Sequence, residues 1–103
     1  MFKKVTEDHE VITLYSDEDF EIKGEVMDGE LYLHCSVDTY NKTVKKRIHK
    51  VFNNILDEAL NQGFSRVLSY TQNIKFCKVL SEYEHLLTVT AGNGKIYEVI
   101  EWV

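Results

Sequence analysis

Between Thr43 and Gly63, eight apolar residues (Val44, Ile48, Val51, Phe52, Ile55, Leu56, Ala59 and Leu60) recur at the spacing of one helical face. Lys45, Lys46, Arg47, Lys50, Asn53, Asn54, Asp57 and Glu58 fill the opposite face. Propensity alone does not hold such a helix in water, so its stripe has to be buried against another layer. Thr43 is the expected N-cap, and Gly63 is placed to supply the left-handed residue beyond the last turn. The partner layer is legible on both sides of this helix, where the apolar period drops to two.

Glu10–Ser16 is β-branched and aromatic and reads as a strand, broken by Asp17-Glu18-Asp19. Phe20–Met27 and Glu30–Val37 flank Asp28-Gly29, a two-residue hairpin turn in which both positions need positive φ. In the second arm Leu31, Leu33 and Cys35 take one face, and Tyr32, His34 and Ser36 the other. After the helix, Phe64–Tyr70 reads as a strand joined to the earlier ones by a crossover, which implies a parallel neighbour. Thr71 or Asn73 can cap a second, shorter helix with Ile74, Cys77, Leu80 and Tyr83 turned inward. Leu86–Ala91 and Lys95–Val103 flank Gly92-Asn93-Gly94 as a second hairpin. The expected fold class is α/β (α+β): a mixed central sheet with one long and one short helix, in a single domain over residues 1–103.

The net charge of −5 is unevenly spread. Residues 1–40 carry eleven acids against Lys3, Lys4 and Lys23, while residues 41–50 carry five basic side chains and no acid. This profile is the reverse of the basic face that a nucleic-acid binder presents. The acidic part reads either as a solvated surface or as a face that meets a basic partner. The basic turn reads either as an anion site at a helix N-terminus or as a counterweight to the acids within the fold. No apolar run reaches the roughly 20 residues of a membrane span, and Met1-Phe2-Lys3-Lys4-Val5 runs into acids without an apolar leader, so a cytoplasmic protein is expected. In that compartment Cys35 and Cys77 are expected as free thiols.

Four histidines and two cysteines invite a metal reading, but His34 and Cys35 point to opposite faces of a strand. His49, Cys77 and His85 match no ligand spacing, so no metal is expected. Cys77 lies in an apolar stripe, where a small buried hydrophobe is the ordinary role. Six tyrosines and one tryptophan are many for this length, and such side chains are enriched at protein interfaces. The terminal hairpin, ending Ile100-Glu101-Trp102-Val103, is a candidate exposed edge through which two copies would form a homodimer.

Three stretches resemble the core of the GNAT superfamily of N-acyltransferases: Gly29–Val37, the helix end Ala59-Leu60-Asn61-Gln62-Gly63-Phe64, and Arg66–Asn73 followed by Lys75-Phe76. The resemblance spans about residues 20–103 and is nearest to the short, degenerate GNAT-like proteins of tailed phages. It implies the GNAT-like mixed sheet without the N-terminal helical region. Active members hold the pyrophosphate of acetyl-CoA in a glycine-rich loop at the start of the long helix; the matching stretch here, Val37 to Ile48, has no glycine. Where the family often has a catalytic tyrosine on the second helix, this chain has Leu80, with Tyr83 one turn further on. The resemblance therefore implies a binding or regulatory protein of phage type without catalytic residues or cofactor, acting on a protein partner such as a host factor in the host cytoplasm. Glu18, Asp19, Glu21, Tyr32 and Trp102 form the expected contact surface. Two alternatives stand beside it. One is an N-acetyltransferase holding acetyl-CoA through Lys45, Lys46, Arg47 and the backbone near Tyr40–Thr43; the other is a structural or virion component.

Overall fold

The computed structural model describes residues 10–103, so the acids Glu7 and Asp8 and the Met1–Val5 stretch lie outside the described residues. The chain runs β1 (Glu10–Ser16), β2 (Phe20–Met27), β3 (Glu30–Val37), α1 (Lys42–Asn61), β4 (Val67–Thr71), α2 (Ile74–Leu80), β5 (Tyr83–Thr90) and β6 (Ile96–Trp102). Six strands form one sheet in the order β1-β2-β3-β4-β6-β5. Every neighbouring pair is antiparallel except β3 and β4, which are parallel. The fold is thus a mixed α+β domain with a six-stranded sheet and two helices.

The first hairpin forms as its turn chemistry dictates: Asp28 and Gly29 have φ of 53° and 78°, the pair of left-handed residues that matches the strand twist. Its register then pairs Met27 with Glu30 and Phe20 with Val37. The N-cap of α1 lies two residues before the expected one: Asn41, not Thr43, accepts the Val44 N–H through its side chain. At the other end Gln62 is the C-cap and Gly63 follows it at φ +93°. Asn73, one of the two expected caps, starts α2. Tyr83 belongs to β5 rather than α2, because Ser81 leaves the helix in an extended conformation. Strand β4 is shorter than the Phe64–Tyr70 reading, and Phe64 instead packs half-buried against the core.

Both helices lie on the same face of the sheet. The stripe Val44, Ile48, Phe52, Ile55 and Ala59 of α1, with Cys77 and Leu80 of α2, meets Phe20, Ile22, Leu31, Leu33, Val67, Ile100 and Trp102 in one apolar cluster. A bulge between Thr13 and Tyr15 turns Leu14 into that cluster, directly over Gly24. A Cβ at Gly24 would stand 3.0 Å from Leu14 Cδ1 and 3.3 Å from Leu31 Cδ1, so glycine is there for space. Gly24→Val is expected to destabilise the protein by about 1–3 kcal/mol through overpacking. Urea unfolding checks this, with Leu14→Ala in the same background restoring part of the loss.

Candidate functional site

Three regions matter for function: the N-terminus of α1, the seam between β3 and β4, and the face of the sheet opposite the helices. At the first, the expected cation cluster is divided. Lys45 and Lys46 are exposed, whereas Arg47 turns back onto the β1–β2 connection. Its Nε donates to Asp17 Oδ2 at 3.2 Å, its Nη2 donates to Asp19 Oδ2, and its guanidinium lies 5.3 Å from the Phe20 ring centroid. Asp17 also accepts from the Tyr15 hydroxyl and from the backbone N–H groups of Asp19 and Phe20. Led by the Tyr15 hydrogen bond, these donors hold its carboxyl well below the usual carboxylate range. The backbone donors beside the helix are committed as well: Asp38 and Thr39 both donate to the Asp19 carbonyl, and Val44 donates to Asn41. Of the two readings of the basic turn, Arg47 follows the one in which it balances acids within the fold.

Strands β3 and β4 pair over two rungs only, Leu31 with Val67 and Tyr32 with Leu68. Beyond them Ser69 Oγ donates to the Leu33 carbonyl at 2.6 Å, and Trp102 Nε1 donates to Ser69 Oγ at 2.8 Å. The indole sits between Phe52, 4.7 Å away between ring centroids, and Tyr83, 6.0 Å away. A cavity of about 110 Å³ remains beside it, bordered by Cys35, Thr71 and Cys77. Trp102 was expected on a contact surface; it is 7% exposed and belongs to the core, because β6 lies inside the sheet between β4 and β5. The exposed edge of the terminal hairpin is β5, not the C-terminal strand. Cys35 and Cys77 are unpaired, and burial pushes their thiols up to about 12 and about 11, which leaves them protonated and poor nucleophiles.

The third region is the sheet face that no helix of the described residues covers. Residues alternating with the core positions place Tyr32, Tyr70, Tyr97, Val99, Leu87 and Val89 there. Tyr70 stands in the middle, 5.9 Å from Tyr32 and 6.0 Å from Tyr97 between ring centroids, with the His34 ring edge-on at 4.7 Å. With Met27, Val89, Ala91 and Val99 the tyrosines line a shallow hollow of about 440 Å³. Among the described residues Leu68 is the one buried apolar side chain outside the helix-side cluster, and by register it lies on this face beside Tyr32.

Polar groups order the rings. Glu25 Oε1 accepts from the Tyr70 hydroxyl at 2.9 Å and faces His34 Nε2 at 3.0 Å. Burial and then this bond to a carboxylate push the Tyr70 phenol up to about 12, so it stays a donor at any physiological pH. Arg66 bridges Glu30 at 3.0 Å and Glu101 at 3.3 Å along one margin. By register this face carries Glu21, Glu25, Glu30, Glu84 and Glu101 against Lys23 and Arg66. It is an apolar, aromatic floor within a net acidic rim.

Among the expected contact residues, Tyr32 and Glu21 are on this face and Glu18 is exposed on the β1–β2 connection, while Asp19 is held by Arg47. Tyr70 and Tyr97 were counted among the six tyrosines but not singled out as contact residues, because their meeting depends on a strand order that no local pattern encodes. No family model, curated protein or solved structure matches the chain. No helix of the described residues is long and apolar enough to cross a membrane.

Two predictions follow from this geometry. Ser69→Ala leaves the Trp102 N–H without its partner in a dry setting, and a loss of about 1–3 kcal/mol is expected. Urea unfolding followed by the emission of Trp102, the sole tryptophan, measures it directly. The second concerns acid. Because Asp17 is depressed below its ordinary 3.8 in the folded protein, the unfolded chain takes up that proton first as pH falls. Its stabilisation is complete above the ordinary carboxylate range and drains away below it. Denaturant midpoints measured from about pH 6 down to about pH 2 should fall less steeply in Asp17→Asn than in the parent.

Proposed function

We propose that this domain is a non-catalytic, GNAT-like protein-binding module whose contact surface is the uncovered face of its sheet. The observation that carries the reading is the tyrosine-lined hollow itself. Large amphipathic rings, already ordered by Glu25 and by one another, offer contact area at little further entropic cost. Apolar area of this kind on a sheet face is normally covered by a second layer or a partner. The occupant that fits is a segment of a partner protein presenting an aromatic or long aliphatic side chain to the hollow and Arg or Lys to the acidic rim.

Support for the GNAT-like part comes from the strand order, the single parallel seam flanking α1, and a face left bare where the resemblance implies missing helices. Support for the non-catalytic part comes from groups already engaged. Arg47 is spent on Asp17 and Asp19, the Asp38 and Thr39 N–H groups on Asp19, and the gap between the parallel strands is bridged by Ser69 and Trp102. What remains of the acetyl-CoA alternative is Lys45 and Lys46, exposed on a helical turn, and the backbone at Tyr40–Thr43.

Two measurements on the full chain test the proposal. Peptides selected from a random display library should carry an aromatic or long aliphatic residue beside Arg or Lys. They should bind Tyr97→Ser and Tyr32→Ser at least about tenfold more weakly, as truncation of interface anchors does. Peptides that bind parent and variants alike would place the contact surface elsewhere. Calorimetric titration with acetyl-CoA is expected to give no saturable heat; a saturable isotherm lost in the Lys45→Ala, Lys46→Ala double variant would establish the cofactor reading instead.

A further inference from the structure

Strand β5 closes one end of the sheet, bonded to β6 along one side and, among the described residues, to no strand along the other. Such an edge leaves alternate N–H and C=O groups for water or for another strand, and natural edges are usually blunted by charge, proline or a bulge. Here the blunting is confined to one end. The bulge lies between His85 and Leu87, and Glu84 and His85 are on its far side. From Leu86 to Thr90 the strand has no charge and no proline. Leu87 and Val89, 49% and 39% exposed, project from this segment onto the uncovered face.

We propose that β5 pairs antiparallel with β5 of a second copy, about a two-fold axis through Thr88. This goes beyond the binding reading above and rests on the backbone edge of β5, which borders the same face. Directly opposed residues in an antiparallel ladder share a face, so a two-fold pair must bring some residue against its own copy. Centred on Thr88, the register sets Leu87 against the partner's Val89 and Val89 against the partner's Leu87, with the two Thr88 side chains together on the other face. Both are favourable cross-strand pairs. Centred on Leu87, it would set Val89 against the partner's His85, which the bulge has turned to the other face. Centred on Val89, it would set Leu87 against the partner's Ala91, beyond the end of the strand.

Charge agrees with the same register. Glu84 falls opposite the partner's Gly92, at the start of a loop whose sole charged residue is Lys95. No like charges are opposed in this register. Val89 also lines the tyrosine hollow, so pairing would extend that hollow with the partner's Leu87.

Sedimentation equilibrium of the full chain over a wide concentration range tests this, with a reversible monomer–dimer equilibrium expected. Val89→Lys, an exposed substitution, should weaken it at least tenfold, and Leu87→Lys likewise, while Tyr32→Ser on the hollow leaves it unchanged. Thr88→Cys under mild oxidation should give a dimer whose peptide map links position 88 to itself; Thr90→Cys, which faces the partner's Leu86, should not self-link. A chain that stays monomeric up to about 1 mM, or a dimer that both lysine substitutions leave intact, would overturn the proposal.

Discussion

The sheet is two antiparallel three-stranded units, β1-β2-β3 and β4-β6-β5, joined by one parallel seam of two rungs. So short a ladder does not hold two halves together by backbone bonding alone. Two further ties span it. The apolar stripe of α1 lies across both units, because Ile48, Phe52 and Ile55 share a cluster with Leu33 from one side and Val67 and Trp102 from the other. The hydrogen-bond chain from the Trp102 indole through Ser69 to the Leu33 carbonyl crosses at the point where the strands part. Everything else in the molecule depends on this junction: where the core closes, which strand is interior, and which face is left without a helix.

That last consequence separates structure from function in this chain. Beneath α1 and α2 the apolar side chains of the sheet are buried in one cluster, and among the described residues no buried side-chain polar atom lacks a partner. The opposite side holds apolar and aromatic area in an ordered arrangement with nothing from α1 or α2 upon it. The acidic rim is organised in the same way, with Arg66 and His34 fixing particular carboxylates. The α1 N-terminus shows the contrary pattern: its one arginine and the Asp38, Thr39 and Val44 N–H groups are consumed by the fold. An unspent surface on one side and a spent one on the other is the basis for assigning recognition to the sheet.

Much of the architecture was legible in the residues, for local reasons. Asp28-Gly29 dictates its own turn, and the stripe from Val44 to Ala59 dictates a helix with one buried side. His34 and Cys35 do point to opposite faces, the first to Glu25 and the second toward Cys77 and the core. Strand order was not legible, and the misplaced contact residues trace to it. Trp102, near the end of the chain, reads as an exposed terminal anchor until β6 is known to insert between β4 and β5. Tyr70 and Tyr97 lie on strands that become neighbours only after β5 has gone out to the edge and β6 has come back. The Arg47–Asp17–Asp19 cluster joins residues about thirty positions apart, which helical spacing cannot reveal.

The central claim is that the tyrosine face is open to solvent while the tryptophan is sealed, and hydroxyl-radical footprinting of the full chain reads both at once. Tryptophan is intrinsically among the most reactive side chains, so burial has to show as protection of Trp102. The account predicts ready modification of Met27, Tyr32 and Tyr97 on the uncovered face, with Trp102 spared until the protein unfolds. Protection of Tyr32 and Tyr97 in the native chain, or modification of Trp102 at a rate like theirs, would contradict it.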